Sequence, residues 1–381
     1  MTAGIDQAGA TRRSAIRLAD GRELLYYYRS TGESDYEASD QRTDLPVAVT
    51  TSEVRWDPIF RDYAVIASHR QARTYRPPAD SCPLCPSRPG MSTEIPAADY
   101  EVVVFENRFP SFARQAEEYV EATAESVFRS VHGDGRCEVV CFTSNHDQSF
   151  SQLEPERART VIDAWADRTT ELSKIPSIDY VFCFENRGEE IGVTLSHPHG
   201  QIYGFPFVPP RFLRASESVN QYHEQTGQCL QCVILAAELE AEVRVVVQTD
   251  HWVAYVPYAA RWPYEVRIVP RVHVPDLPAL SPDQRDDLAR IYLDVLQRFD
   301  ALFDTPAPYI AGWQQAPVRL TRELWHLSAE VFTIRRAPGK LKYLAGTESG
   351  AGIWINDITP EGAADRLRAA SPRRSADVGG S

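Results

Sequence analysis

Long apolar runs are missing from this sequence. No segment approaches the roughly 18 consecutive apolar residues that a membrane-spanning helix needs. The N-terminal stretch MTAGIDQAGATRRSAIRL also lacks the apolar core of a signal peptide. We therefore expect a cytoplasmic protein that does not enter a membrane.

Basic residues are outnumbered by acidic ones. The 381 residues include 40 lysines and arginines against 53 aspartates and glutamates, which gives a formal net charge of −13. Such a chain repels the phosphate backbone on average, so we expect no nucleic-acid partner. The sequence also lacks a glycine-rich P-loop and a dinucleotide-binding fingerprint, so any bound nucleotide must be held in another way.

Cysteines are present in an odd number, seven. Four of them form two C-x-x-C pairs, Cys82 with Cys85 and Cys229 with Cys232. In a reducing compartment such pairs indicate metal or redox sites before disulfides. The other three lie in apolar, strand-like runs, where we expect buried small hydrophobic side chains: Cys137, Cys141 and Cys183.

The chain contains one series of features twice. The runs 137–146 (CEVVCFTSNH) and 264–273 (YEVRIVPRVH) alternate like half-buried strands and end in a histidine. A helix-like segment with proline in its first turn follows each run, at 154–174 and 281–303, and then a second strand-like run. We infer an internal duplication of a strand, helix, strand unit. Each copy ends in a histidine pattern: His197-Pro-His199-Gly-Gln201 and His326-Leu-Ser328-Ala-Glu330.

The first copy supplies a Cys₂His₂ set, which binds zinc tetrahedrally in other proteins. Cys82 and Cys85 are close enough in sequence to reach one ion, whereas His146 and His197 must meet them through folding. A free dithiol is the alternative interpretation of the two cysteines.

The second copy repeats this set with Cys229, Cys232, His273 and His326, which predicts a second zinc site. The alternative follows from TGQCLQCVILAAE, which continues directly into a helix-like segment. In that case both cysteines are only packed against the rest of the protein.

The segment SHPHGQIYG, residues 196–204, is the candidate catalytic element. If a metal holds His197, then His199 is free for chemistry two residues along the same strand face. A neutral imidazole is a nucleophile and a general base near pH 7, and Gln201 offers an amide donor to an oxyanion. A purely structural His-x-His is the alternative. Gly200 disfavours it, because glycine in a strand often marks the close approach of a ligand.

Phosphorus is a reasonable target for such an imidazole. Segments expected around it carry guanidinium and amide groups, and the fork of a guanidinium suits phosphate oxygens. The alternative for each arginine is ordinary solvated surface. The candidates are Arg70 and Arg73 in SHRQARTY, and Asn107, Arg108, Asn186 and Arg187 in two E-N-R triplets.

These motifs together resemble the galactose-1-phosphate uridylyltransferase family of the histidine-triad superfamily. H-P-H-G-Q is highly specific for this nucleotidyltransferase branch, because hydrolases of the superfamily carry a third histidine where Gln201 stands. The resemblance runs from about Ser52 to about Leu367 through these segments: SHRQARTY, CPLC, VVVFENRF, CFTSNH, FENRGEEIG, HPHGQIYG, HWVAYVPYAARWPYEV and GKLKYLAGTESG.

The resemblance implies an α+β fold of two histidine-triad-like halves, with mostly antiparallel sheets and helices packed outside. It implies zinc without an organic cofactor, and a homodimer with active sites near the subunit interface.

Within the N-terminal part, GRELLYYYRS is expected to add a strand at a sheet edge or at the dimer interface. The expected domains are an N-terminal extension, a first half with zinc and the catalytic histidine, a second, degenerate half and a disordered tail: 1–45, 46–225, 226–370 and 371–381.

The resemblance also implies a ping-pong reaction. His199 would attack the α-phosphorus of UDP-glucose, expel glucose 1-phosphate, and hold the uridylyl group until galactose 1-phosphate takes it up. Gln201 would bind the uridylyl phosphate, and Cys82, Cys85, His146 and His197 would be structural zinc ligands. The implied nucleotide-sugar residues are Arg70, Arg73, Asn107, Asn186, Gly192 and Thr194, with Leu84, Phe105 and Val139 around uracil and Lys342, Tyr343, Thr347 and Glu348 near the hexose.

Several positions depart from the family pattern. The family's second metal site uses a glutamate and three histidines, and Gln314, Ser328 and Glu330 occupy its positions here, so we expect it to be absent in its usual form. Arg108 replaces an acidic residue next to the uracil-contacting asparagine, and Thr347 replaces a tyrosine on the sugar. The alternatives are therefore a transferase or phosphorylase with another sugar 1-phosphate or phosphate acceptor, and a nucleotide-binding protein without turnover.

Overall fold

The computed structural model describes residues 10–29, 36, 38–43, 45, 52–69, 77–113 and 127–370. Arg70, Arg73 and the expected tail at 371–381 lie outside these residues. In the part of the chain that is described, no helix is long and apolar enough to cross a membrane.

The described residues form β-strands and α-helices in an α+β arrangement, as predicted. The helices are α1 (Pro155–Ser173), α2 (Pro210–Thr226), α3 (Leu230–Ala241), α4 (Pro282–Ala301), α5 (Gly346–Ala351) and α6 (Pro360–Ala369). The strands are β1 (Arg12–Arg17), β2 (Glu23–Tyr28), β3 (Glu53–Asp57), β4 (Asp62–Ile66), β5 (Val102–Glu106), β6 (Ser130–His132), β7 (Arg136–Cys141), β8 (Tyr180–Arg187), β9 (His199–Phe205), β10 (Val245–Gln248), β11 (Trp252–Tyr255), β12 (Tyr264–Pro270), β13 (Tyr309–Gln314), β14 (Ser328–Thr333), β15 (Arg335–Ala337) and β16 (Lys340–Leu341).

The chain divides into two compact units, each made of three chain segments. The first comprises Met1–Gln148, Glu156–Val181 and Thr194–Pro210, and the second comprises Ser149–Pro155, Phe182–Val193 and Arg211–Ser381.

Antiparallel strands in the order β1, β2, β5, β7 and β9 form the main sheet of the first unit. The segment ELLYYY forms β2, whose central residues are buried. The strand expected from GRELLYYYRS therefore exists, but it lies between β1 and β5, and β1 takes the outer position. Strands β3, β4 and β6 form a separate small sheet.

Helix α1 begins with Pro155 and carries Glu156 in its first turn, the arrangement that the sequence predicted. Its apolar side buries Val161, Ile162 and Trp165, spaced as an amphipathic helix requires. Arg168, on the same helix, donates two hydrogen bonds of 2.9 and 2.8 Å to the carboxylate of Glu138 on β7. This contact fixes the helix against the strand that neighbours β9.

Strands β8, β13, β14, β12, β11 and β10 pair antiparallel in the second unit. Ser281 caps helix α4 and accepts a hydrogen bond from the Gln284 amide, while the Gln284 side chain accepts one from the Ser281 amide. The order β11, β12, β14 repeats the order β5, β7, β9 of the first unit. The predicted duplication is therefore visible in the strand pairing.

Candidate functional site

Strand β9 presents the candidate catalytic residues on one face. His199, Gln201 and Tyr203 are half-buried, whereas Gly200 and Ile202 between them are buried. This alternation follows from the two-residue period of a strand. The two candidate catalytic side chains therefore point to the same side of the sheet.

The strand register builds a binding surface on this face. Gln201 lies opposite Val139 on β7, and Val139 lies opposite Phe105 on β5. Directly opposed residues of neighbouring antiparallel strands share a face, so these three side chains form one row. His199 belongs to the adjacent row, opposite Cys141. A polar reaction centre thus lies next to an apolar wall.

A hydrogen bond orients the His199 imidazole. Its Nδ1 lies 2.8 Å from the backbone carbonyl oxygen of His197, which only accepts, so Nδ1 carries the proton. Burial lowers the pKa of His199, and this contact with the His197 carbonyl opposes the effect only in part. The neutral ring leaves the lone pair on Nε2, which is the form required of a nucleophile.

The first Cys/His set comes together as predicted. The Sγ of Cys85 lies 3.3 Å from Nδ1 of His146 and 3.6 Å from Nδ1 of His197. One ligand atom from each of these residues and Cys82 lies within 4.8 Å of the others. Ligands of a tetrahedral zinc ion, at about 2.0 to 2.3 Å from the metal, are roughly 3.5 Å apart, so the spacing fits.

The surroundings of these side chains also suit a metal. The Nε2 of His197 lies 2.9 Å from the carbonyl oxygen of Thr143, which places the proton there and leaves Nδ1 to face the cysteines. Burial and the neighbouring Cys82 raise the pKa of Cys85 to about 12. A bound divalent cation would stabilise the thiolate forms of Cys82 and Cys85 in this buried environment.

The second Cys/His set comes together in the second unit with the same geometry. The Sγ of Cys232 lies 3.5 Å from Nδ1 of His273 and 3.3 Å from Nδ1 of His326. The Nε2 atoms of the two histidines face the carbonyl oxygens of Glu323 and Pro270, at 3.1 and 2.9 Å. Cys229, directly before α3, completes a group whose ligand atoms lie within 4.8 Å of one another. This set, too, could hold a metal ion.

A cavity in the first unit collects most of the predicted nucleotide-binding residues. Of its lining residues, the sequence did not indicate Pro83, Phe109 and Leu195, which are neighbours of predicted residues, or Glu94. The cavity is lined by Pro83, Leu84, Glu94, Phe105, Asn107, Arg108, Phe109, Val139, Thr194, Leu195, His199 and Gln201.

The predicted hexose residues lie together in the second unit. The Nζ of Lys342 donates a 2.8 Å hydrogen bond to Glu348, and Thr347 donates another of 2.8 Å to the same carboxylate. The hydrogen bond from Lys342 and that from Thr347 lower the pKa of Glu348 to about 2. Tyr343 is 72% exposed. These residues therefore form a short, hydrogen-bonded polar segment.

Two further predicted residues also belong to the second unit. Asn186 is half-buried on β8 and lies opposite Ile310 on β13. Gly192 ends a short helical turn at a φ of 82°, a conformation that favours glycine.

The second unit has a serine where the first has its nucleophile candidate. Ser328 donates a 3.2 Å hydrogen bond to the side-chain oxygen of Gln314. Glu330 accepts hydrogen bonds from Arg211, at 2.7 Å, and from the Gln314 amide, at 3.2 Å. Gln314, Ser328 and Glu330 are thus joined to one another by hydrogen bonds.

Comparison with known proteins gives a consistent result over most of the chain. Residues 33–209 match the family model described as galactose-1-phosphate uridyl transferase, N-terminal domain, and residues 215–376 match the corresponding C-terminal domain. A galactose-1-phosphate uridylyltransferase of Streptomyces lividans is 46% identical over 94% of this chain and 97% of its own. One of Thermotoga maritima is 35% identical over 83% of this chain and 98% of its own. A solved uridylyltransferase structure superposes with a TM-score of 0.74 at 34% identity, covering 84% of this chain and 98% of that one.

Proposed function

Because the chain belongs to the galactose-1-phosphate uridylyltransferase family, we propose that it transfers a uridylyl group from UDP-glucose to galactose 1-phosphate. The products are glucose 1-phosphate and UDP-galactose. The observation that carries the proposal is the oriented imidazole of His199, which lines the cavity together with Gln201.

The proposed reaction has two steps. In the first, Nε2 of His199 attacks the α-phosphorus of UDP-glucose, an N–P bond forms, and the P–O bond to glucose 1-phosphate breaks. In the second, a phosphate oxygen of galactose 1-phosphate attacks the same phosphorus and the N–P bond breaks. His199 returns to its neutral form, so the protein is unchanged after each cycle.

The neighbours of His199 act through position and charge. The carbonyl of His197 holds the Nδ1 proton and stabilises the positive charge that the ring gains when Nε2 bonds to phosphorus. The Gln201 amide donates to a non-bridging oxygen of the transferred group. Leu84, Phe105 and Val139 supply apolar surface for the uracil ring, since all three line the same cavity.

We assign a zinc ion to Cys82, Cys85, His146 and His197, and a second to Cys229, Cys232, His273 and His326. Bound zinc supplies a structural cross-link in each unit. In the first unit, this cross-link fixes the residue whose carbonyl orients His199.

The remaining assignments are part of the same proposal. Lys342, Tyr343, Thr347 and Glu348 bind the hexose, and Asn186 and Gly192 contact the nucleotide sugar. Arg70 and Arg73 bind its phosphates across the interface of a homodimer. We place the protein in the cytoplasm.

A discharge experiment tests the acceptor. Protein carrying a uridylyl group is prepared with UDP-glucose, freed of nucleotide sugar, and mixed separately with galactose 1-phosphate, other sugar 1-phosphates and inorganic phosphate. We expect galactose 1-phosphate and glucose 1-phosphate to remove the group fastest. Faster discharge by another sugar 1-phosphate, or by inorganic phosphate, would replace the proposed acceptor.

A further inference from the structure

Glu94 is a buried carboxylate that lines the cavity of the first unit. It lies before β5 in the chain, outside every motif that the sequence displays. The guanidinium groups of Arg22 and Arg42 pair with it from the N-terminal part of the chain, Arg42 at 2.9 Å. Arg108, which also lines the cavity, lies 3.5 Å from the same carboxylate. A carboxylate in this position can contact whatever fills the cavity.

The two N-terminal arginines hold Glu94 in a fixed place. Arg22 also pairs with Asp20 at 2.7 Å and donates a 2.7 Å hydrogen bond to the carbonyl of Glu106. Arg42 pairs with Asp40 at 2.7 Å. Because each arginine has its own second carboxylate, Glu94 is not needed only to balance their charge. At the cavity wall Glu94 lies beside Arg108, where both side chains can meet a ligand.

The polar groups around Glu94 differ in what they offer a ligand. The side-chain oxygen of Asn107 accepts a 2.9 Å hydrogen bond from the Phe109 amide, so Asn107 presents its NH₂ group as a donor. Arg108 is a donor only. A carboxylate has about four acceptor positions, so its ion pairs with Arg22, Arg42 and Arg108 still leave one for a ligand. Of these three neighbouring side chains, Glu94 is thus the one that offers an acceptor to the cavity.

We propose that Glu94 is a specificity-determining residue that accepts a hydrogen bond from an N–H or O–H group of the bound nucleoside. Arg22 and Arg42 are the positioning residues that aim it. For the identity of the occupant, this inference rests on the proposed function. A uridine nucleotide offers two kinds of donor, the N3–H of the base and the hydroxyls of the ribose, while its carbonyl oxygens suit Asn107 and Arg108.

Binding of UMP and three analogues tests the proposal by calorimetry. The analogues carry a methyl group on N3, or lack the 2′- or the 3′-hydroxyl, so each removes one donor. We expect the wild-type protein to bind one analogue roughly 10- to 100-fold more weakly than UMP, the effect of a hydrogen bond to a charged group. The analogue affected identifies the donor.

Variants then assign the effect to the carboxylate. E94A should bind UMP and that analogue equally, and E94Q, which keeps an acceptor oxygen, should restore part of the difference. R42A should reduce the difference in affinity between UMP and that analogue. D40A, which removes the other carboxylate of Arg42, should leave this difference unchanged. If E94A does not fold in a thermal unfolding assay, E94D carries the test, because it withdraws the charged group by one methylene.

The outcomes separate this inference from the proposed function. Equal wild-type binding of all four nucleotides, or full discrimination in E94A or E94D, would overturn the role of Glu94. Failure of the wild-type protein to become uridylylated would instead overturn the proposed reaction, and UMP binding would still report on Glu94.

Discussion

The Nδ1 atom of His199 lies 2.8 Å from the carbonyl oxygen of His197, so a residue of the Cys/His set orients the proposed nucleophile through its backbone. The His197 ring faces the cysteines through Nδ1 and the Thr143 carbonyl through Nε2. The side chain of His197 thus belongs to the Cys/His set, while its backbone carbonyl orients His199. The backbone carbonyl of His197 therefore links the first Cys/His set to His199.

The second Cys/His set should bind its own ion. Replacing Cys229 and Cys232 together by serine should lower the zinc content from two ions per chain to one, because two of the four ligands are lost. Elemental analysis of the purified protein measures this. Uridylylation of His199 should persist, since the first set is untouched. An unchanged zinc content would show that the second Cys/His set does not bind zinc.

Breaking the buried ion pair between Glu138 and Arg168 should destabilise the protein strongly. Glu138 is 1% exposed. Burial would raise its pKa, but Arg168 and Arg136 hold that pKa below its ordinary value. R168M should lower the free energy of unfolding by roughly 3 to 5 kcal/mol, because the carboxylate stays buried with one partner fewer.

Urea denaturation measures this loss. The exposed pair of Lys174 and Glu171, 2.7 Å apart, is the matched control. K174A should cost no more than about 1 kcal/mol. If R168M and K174A lowered the free energy of unfolding equally, burial of the ion pair would not explain the loss.

Glu185 should make the protein less stable as the pH rises. Burial raises its pKa to about 8, although the nearby Tyr309 hydroxyl and the charge of Arg187 oppose the shift. A carboxyl with a raised folded-state pKa contributes stability below its unfolded pKa, near 4.5, and loses that contribution as the pH approaches 8.

The variant E185Q keeps a neutral side chain at every pH and should remove this decline. The difference in unfolding free energy between variant and wild type should grow with pH by at most about 1.4 kcal/mol per unit. Urea denaturation at pH values spanning this window measures it. Parallel pH profiles for the two proteins would rule out the buried carboxyl as the cause.

Much of the fold was predictable because its signals are local. Helices α1 and α4 begin at Pro155 and Pro282, where the sequence places proline beside acidic residues. Cys137, Cys141 and Cys183 are buried, as their apolar surroundings indicated. The two Cys/His sets were predictable because the same residue types recur in the same order in both copies.

The polar end of the cavity was not predictable in this way. Arg22 and Glu94 are 72 residues apart in the sequence, and neither belongs to a repeating pattern. The order of strands brings them together, since β2 pairs with β5 and so places the N-terminal segment beside Glu94 and Arg108. A contact of this kind depends on sheet topology, which local patterns do not encode.

Labelling of the protein by UDP-glucose, without any acceptor, shows whether His199 is the nucleophile. We expect release of one glucose 1-phosphate per chain and an acid-labile uridylyl group on His199, detected by intact mass and peptide mapping. H199G should show no label while its zinc content stays unchanged. Folded, metal-loaded wild-type protein that forms no acid-labile adduct would rule out the proposed reaction.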